Sequence, residues 1–172
     1  NLYSGITSVI PGYHTDIDIA RSEHRINTNI LTRLQHRVLY KPYPSRGRFL
    51  DPDPCLLAAE KAENIEIYRD AKDLSLLLPD SRLLITAHAT STLGWCMASR
   101  KPVVLIDMPN IAPLLPGLKD SFADAVFLFD SSSPNFHGQL HGFLSQPISV
   151  IEQEHIETKA EGREYLIEKY YM

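Results

Sequence analysis

Cysteine is almost missing from this chain: two of 172 residues, Cys55 and Cys96. Both lie in apolar, helix-like stretches, and neither belongs to a Cys-x-x-Cys or Cys/His pattern. A disulfide framework and a zinc cluster are thereby disfavoured, and the usage suits a reducing compartment. Long apolar runs are missing too; none approaches the roughly 20 residues that a helix needs to cross a bilayer. Neither sign of charge dominates, with 17 Lys and Arg against 21 Asp and Glu and a net charge of −4. The chain as a whole has no attraction for nucleic acid, so any anion site must be made locally. No glycine-rich phosphate loop of the G-x-G-x-x-G type occurs, and there is no internal repeat or low-complexity tract.

What is present is ordinary for a soluble globular protein: 44% hydrophobic and 22% charged residues, which disfavours disorder. This length supports a substantial core, as one domain or two small ones. The chain begins at Asn1 with no charged-then-apolar leader, and is read as a fragment lacking an N-terminal part. Half of any active site is then expected outside it.

Residues 1–20 read as a connecting loop, punctuated by Gly5, Pro11 and Gly12, with one short strand where Asp16 and Asp18 alternate with Ile17 and Ile19. A helix is predicted over 21–35, with Ile26, Ile30, Leu31 and Leu34 on one face and His24 and His36 on the solvated side. A strand over 38–40 is closed by Lys41-Pro42-Tyr43-Pro44. A helix over 51–64, a strand over 65–68 and a short helix over 73–78 follow. Leu83 to Thr86 is short and apolar, as expected of a strand buried on both faces. A helix over 92–99, a buried strand over 102–107, a turn of helix over 120–123 and a strand over 125–129 come next. Helices over 136–145 and 157–170 complete the chain. This alternation predicts an α/β fold: a Rossmann-like parallel sheet with helices on both faces. The expected organisation is a connecting segment and first helix over 1–36, a nucleotide-binding domain over 37–150 and a terminal helix over 151–172.

In such a sheet ligands bind at the carboxyl ends of the strands. The loops leaving those ends carry Lys41, Arg46, Arg48, Arg69 and Lys72, and a hydroxyl cluster, Thr90-Ser91-Thr92, stands where a helix begins. Ser and Thr are preferred helix caps, and the free N–H groups of a helix N-terminus hold anions such as phosphate. The alternative is a capped helix and solvated loop charges with no ligand. His88, just before the hydroxyls, is placed to reach a phosphate or sugar, or is a hydrogen-bonded loop histidine. Asp107, ending its strand, either lines the cleft or serves a turn. His137 and His141 are four apart on a helix, but no third metal ligand accompanies them, so a solvated face is expected.

These residues carry a resemblance. Val38-Leu39-Tyr40-Lys41-Pro42-Tyr43-Pro44 resembles the strand followed by Lys-x-His-Pro of bacterial GT-B glycosyltransferases that use cytidine nucleotides. These include Kdo transferases, sialyltransferases and CDP-glycerol glycerophosphotransferases. Asp73-Leu74-Ser75, Leu83 to Thr86, Thr90-Ser91-Thr92-Leu93-Gly94 and Lys101-Pro102-Val103-Val104-Leu105-Ile106-Asp107 are similar to a second ordered run of that family. The likeness covers residues 38–110. Tyr43 stands where the family has His, and Trp95 and Cys96 stand where relatives using UDP-sugars carry a ribose-binding Glu.

The resemblance implies the C-terminal, donor-binding half of a GT-B enzyme. It places Lys41, Tyr43 and Pro44 at the nucleotide or leaving phosphate, with Ser91 and Thr92 on the phosphate and Thr90 adjacent. Together with Arg46, Arg69 and His88, these are the candidate donor-binding residues. The expected reaction is transfer of a Kdo-like sugar from a CMP-activated donor to a saccharide or lipid-linked acceptor of a surface polysaccharide. No metal or further cofactor is expected; the catalytic base would lie in the missing acceptor half, and no nucleic acid takes part. Two alternatives stay open: a CDP-glycerol glycerophosphotransferase, and a non-catalytic nucleotide-binding module. The expected location is cytoplasmic, at most peripheral to the inner membrane.

Overall fold

The structure is a computed structural model that describes residues 16–42, 54–70, 74–87, 91–111 and 113–170. In chain order its main elements are α1 (Asp16–Asn29), β1 (Val38–Tyr40), α2 (Pro54–Glu60), β2 (Ile65–Ile67), β3 (Leu84–Thr86), α3 (Ser91–Ala98), β4 (Val103–Asp107), α4 (Lys119–Ala125), β5 (Phe127–Asp130), α5 (Phe136–Leu144), α6 (Ile148–Thr158) and α7 (Ala160–Tyr170). The chain divides into two compact units: Asn1–Ala71 with His137–Ser145, and Lys72–Phe136 with Gln146–Met172.

In the first unit β1 and β2 pair in parallel, Val38 opposite Ile65 and Tyr40 opposite Ile67. Helix α1 buries Ile26 and Asn27, Ile30 just past its end is buried too, and α1 packs on α2, whose Cys55 and Ala59 are buried. Asn27 is a polar residue at a core position because its Nδ2 donates to the Cys55 carbonyl at 3.4 Å. A 3₁₀ turn at Leu31–Arg33 follows α1, and Asn64 Nδ2 donates to the Leu31 and Leu34 carbonyls at 2.8 and 3.0 Å. Those bonds satisfy carbonyls at the end of the turn and fix the approach to β1.

In the second unit the strand order is β3-β4-β5, all parallel, with α3 joining β3 to β4 and α4 joining β4 to β5. The central strand β4 is buried at every position, as a strand covered on both faces must be. Helix α3 turns Leu93, Cys96 and Met97 inward at helical spacing, into a core shared with Leu84, Val103, Leu105, Phe122, Val126 and Leu166. Each fully buried side chain of this size contributes about 1.5–3 kcal/mol relative to exposure. Cys96 packs in this core, and burial pushes its thiol up to about 11. Helix α7 lies against α4 and α3, and Gly162 permits the approach: a Cβ there would stand 2.4 Å from the Asp124 carbonyl oxygen. Lys101, preceding β4, donates from Nζ to the carbonyls of Leu78, Pro79 (2.7 Å) and Ser81, and so gathers the 3₁₀ turns before β3.

The chain is thus α/β with parallel strands joined by helices, compatible with a Rossmann-like half-domain. The strands form two sheets, of two and three, where the alternation in sequence predicts one. Other differences are local. The segment 16–20 is helical, not a loop with a strand, and α1 stops at Asn29. Isoleucines separated by acids fit either period, and here burial of Ile26 and Ile30 selects the helix. Strand β3 is not buried on both faces: Ile85 is 37% exposed, because β3 lies at an end of its sheet. The helix expected over 73–78 is two 3₁₀ turns, Leu74–Leu76 and Leu78–Asp80. The terminal helix is two, α6 and α7, with Lys159 between them out of helical conformation. Among the described residues no helix is long and apolar enough to cross a membrane.

Candidate functional site

The carboxyl edge of the three-stranded sheet is built from the ends of β3, β4 and β5. Asp107 and Asp130 are register partners there, on neighbouring strands. Helix α3 starts five residues after Thr86, on the side of the sheet where β3 ends, and its first turn carries the partial positive charge of a helix N-terminus. Ser91 opens the helix, and Thr92 follows it half-buried. Both hydroxyl residues therefore stand in the first turn, the part of a helix whose N–H groups have no partner within the helix itself and can hold an anion.

Asp107 does not line an open cleft. Its side chain is buried; Oδ1 accepts from the Leu114 amide at 3.3 Å, and Oδ2 lies 3.0 Å from Lys119 Nζ. The same ammonium donates to Asp130 Oδ2 at 2.9 Å, and Asp130 Oδ1 accepts from the amide and hydroxyl of Ser132 at 2.9 and 2.5 Å. The Lys119 ammonium and the Ser132 donors hold the Asp130 carboxyl down at about 2, and the Asp130 and Asp107 bonds raise Lys119. Two carboxylates with one ammonium leave a net negative charge. The cluster is consequently a latch tying the loop after β4 to the strand ends, not an attractor of anions.

In the first unit, Lys41 and Arg69 both lie just past the strand ends at the carboxyl edge of β1 and β2. The Tyr68 amide donates to the Tyr40 carbonyl at 2.9 Å, continuing the ladder past the strand ends. Lys41 Nζ donates to the Asp70 carbonyl at 3.1 Å and sits 5.5 Å from the Tyr68 ring centroid. Arg69 pairs with Glu60. Just before Lys41, the Tyr40 hydroxyl donates to Glu23 Oε1 at 2.6 Å; burial, reinforced by the Glu23 carboxylate, pushes its pKa far above the ordinary phenol value. This anchors the end of β1 to α1.

Tyr43, Pro44, Arg46, Arg48, Lys72, His88 and Thr90 lie outside the described residues, and Ser91 is described by its backbone alone. His137 and His141 lie half-buried on α5, and among the described residues no cluster of three or more His, Cys, Asp or Glu side chains is placed to hold a metal ion. Sequence reasoning missed Lys119 and the role of Asp130. A usable signal was present: two apolar strands, Leu105-Ile106-Asp107 and Leu128-Phe129-Asp130, both end in Asp. Comparison with protein-family models, with curated proteins and with solved structures returns no match.

Proposed function

We propose that this chain is the donor-binding half of a GT-B-type glycosyltransferase, which grips the phosphate of a CMP-activated, Kdo-like sugar at the first turn of α3. One observation carries the reading: α3 opens with Ser91 and Thr92 at the carboxyl edge of a parallel sheet. That is where an open α/β sheet binds ligands, and it is the kind of end that binds phosphate. The resemblance over residues 38–110 supports it from the sequence side.

The chemistry asked of this half is modest. Departure of the nucleotide leaves negative charge on a phosphate oxygen, and donors fixed in advance stabilise that charge without reorganising. The α3 N–H groups with the Ser91 and Thr92 hydroxyls supply such donors. An acceptor-binding part of a longer protein would bring the acceptor hydroxyl and the base. The reading carries with it a cytoplasmic location, with any membrane contact peripheral.

Thermal shift with CMP, CDP, UDP and inorganic phosphate tests it. CMP or CDP should raise the melting temperature more than UDP, and the double change Ser91→Ala, Thr92→Ala should abolish the rise. Equal shifts with UDP would remove the cytidine assignment. No response to any nucleotide would remove the donor-site reading. A CDP-glycerol transferase shares the cytidine leaving group, so turnover of CDP-glycerol against a CMP-sugar by the longer protein separates the two.

A further inference from the structure

His155 of α6 and Arg163 of α7 are both buried, and Arg163 Nη1 lies 2.7 Å from His155 Nε2. A guanidinium only donates, so Nε2 is the unprotonated nitrogen and the imidazole carries its proton on Nδ1. The contact is a buried cation held by a neutral ring. Among the described residues neither His155 Nδ1 nor Arg163 Nε has a hydrogen-bond partner. Among the described residues no carboxylate pairs with the ring itself. From β5, Phe127 faces it with ring centroids 6.4 Å apart. Lys159, which closes α6, donates to the Ala123 carbonyl of α4 at 2.6 Å, with its ammonium 5.8 Å from the Phe127 centroid. On α7, Glu164 Oε1 accepts from the other guanidinium nitrogen, Nη2, at 3.0 Å, and lies 3.8 Å from Arg100 Nε of the turn after α3.

A proton on Nε2 removes the acceptor and sets two positive groups within 3 Å of each other away from water. Like charges in a dry site repel strongly, and the arrangement has to open. Helix α7 is the element held by this contact, and it seals the second unit's core through Leu166. We propose that the His155–Arg163 contact is an acid-sensitive latch that keeps α7 seated and frees it when the imidazole is protonated. The proposal goes beyond the donor-site reading and does not depend on it.

Burial, then Arg163, then Lys159 push the His155 pKa down from 6.5 to about 4. The unfolded chain therefore binds one more proton than the folded chain between those values. Stability from this site is full above about pH 6.5 and is lost as pH falls toward 4, the folding constant dropping about tenfold per pH unit within the window.

The test compares the full chain with His155→Gln, whose side-chain oxygen accepts from Arg163 but does not titrate. Urea unfolding and amide exchange of α7 are followed from pH 7 to 4.5, with ¹⁵N NMR of the imidazoles in parallel. The expected result is a neutral Nδ1–H imidazole at pH 6 and an excess loss in folding constant of about tenfold per unit over the variant, with faster exchange in α7. A His155 that titrates near 6.5 overturns the latch. So does a pH slope shared by both proteins. Should His155→Gln fail to fold, the imidazole titration and α7 exchange of the unaltered chain decide the matter on their own.

Discussion

Asp107 and Asp130 stand side by side at the carboxyl ends of β4 and β5 and share one ammonium, that of Lys119 at 3.0 and 2.9 Å. Asp107 is the buried member, so among the described residues removing the lysine leaves a carboxylate away from water with the Leu114 amide as its hydrogen-bond donor. Lys119→Met should destabilise the second unit by about 2 kcal/mol, less than a fully buried pair because the lysine is partly exposed. Adding Asp107→Asn should recover part of that loss. A double-mutant cycle by urea unfolding checks it, and strict additivity of the two changes would show that they do not interact.

The same cluster predicts an acid response distinct from that of His155. Asp130 is held at about 2 against an ordinary carboxylate value of 3.8, so its contribution is present above about pH 4 and is lost as pH falls toward 2. Asp130→Asn should flatten the stability profile in that lower window and leave the slope between pH 6.5 and 5 unchanged.

Gly162 is where α7 meets the α4 backbone. A methyl group there would stand 2.4 Å from the Asp124 carbonyl oxygen, which has no flexible end to yield. Gly162→Ala should lower stability by about 1–3 kcal/mol, despite alanine's better helix propensity. Gly142→Ala on α5, with nothing within 4 Å of the added carbon, should be neutral or stabilising by about 0.5–1 kcal/mol. Chemical denaturation of the pair checks both, and equal effects would mean that the approach at Asp124 relaxes freely.

Lys101, in the motif-like Lys101-Pro102-Val103 run, gathers three carbonyls around one ammonium. Lys101→Met should cost about 1–3 kcal/mol, since hydrogen bonds to a charged group are the stronger kind. Nucleotide response should survive, because this lysine precedes β4 and stands at the opposite end of the strand from the α3 first turn. Loss of CMP binding with unchanged stability would contradict that assignment.

Lys41 differs. Its bond to the Asp70 carbonyl and its approach to the Tyr68 ring are exposed, so Lys41→Ala should change stability by about 0.5 kcal/mol or less. Any fall in the CMP-induced thermal shift of this variant then reports a ligand contact and not a folding defect.

Much of the fold was legible because burial imposes a pattern on a linear chain. An uninterrupted apolar run from Val103 to Ile106 can only be a central strand, and β4 is buried throughout. Hydroxyls at 90–92 mark a helix start because a first turn needs caps, and α3 begins at Ser91. Helix ends were less legible. The break between α6 and α7 lies in a stretch rich in helix formers, with no proline and no glycine at the break itself. Across the break His155 and Arg163 meet in one buried contact, a pairing that spacing along the chain does not announce.

The order of residues by itself determined the α/β class, the parallel alternation and the position of the hydroxyl-bearing turn, since each follows from spacing along the chain. Only the tertiary structure decided that Asp107 faces a lysine twelve residues on, that Lys101 binds carbonyls some twenty residues back, before the neighbouring strand, and that a histidine on one terminal helix accepts from an arginine on the next. Those pairings depend on how backbones cross in space, and charge or polarity at a position carries no record of its partner.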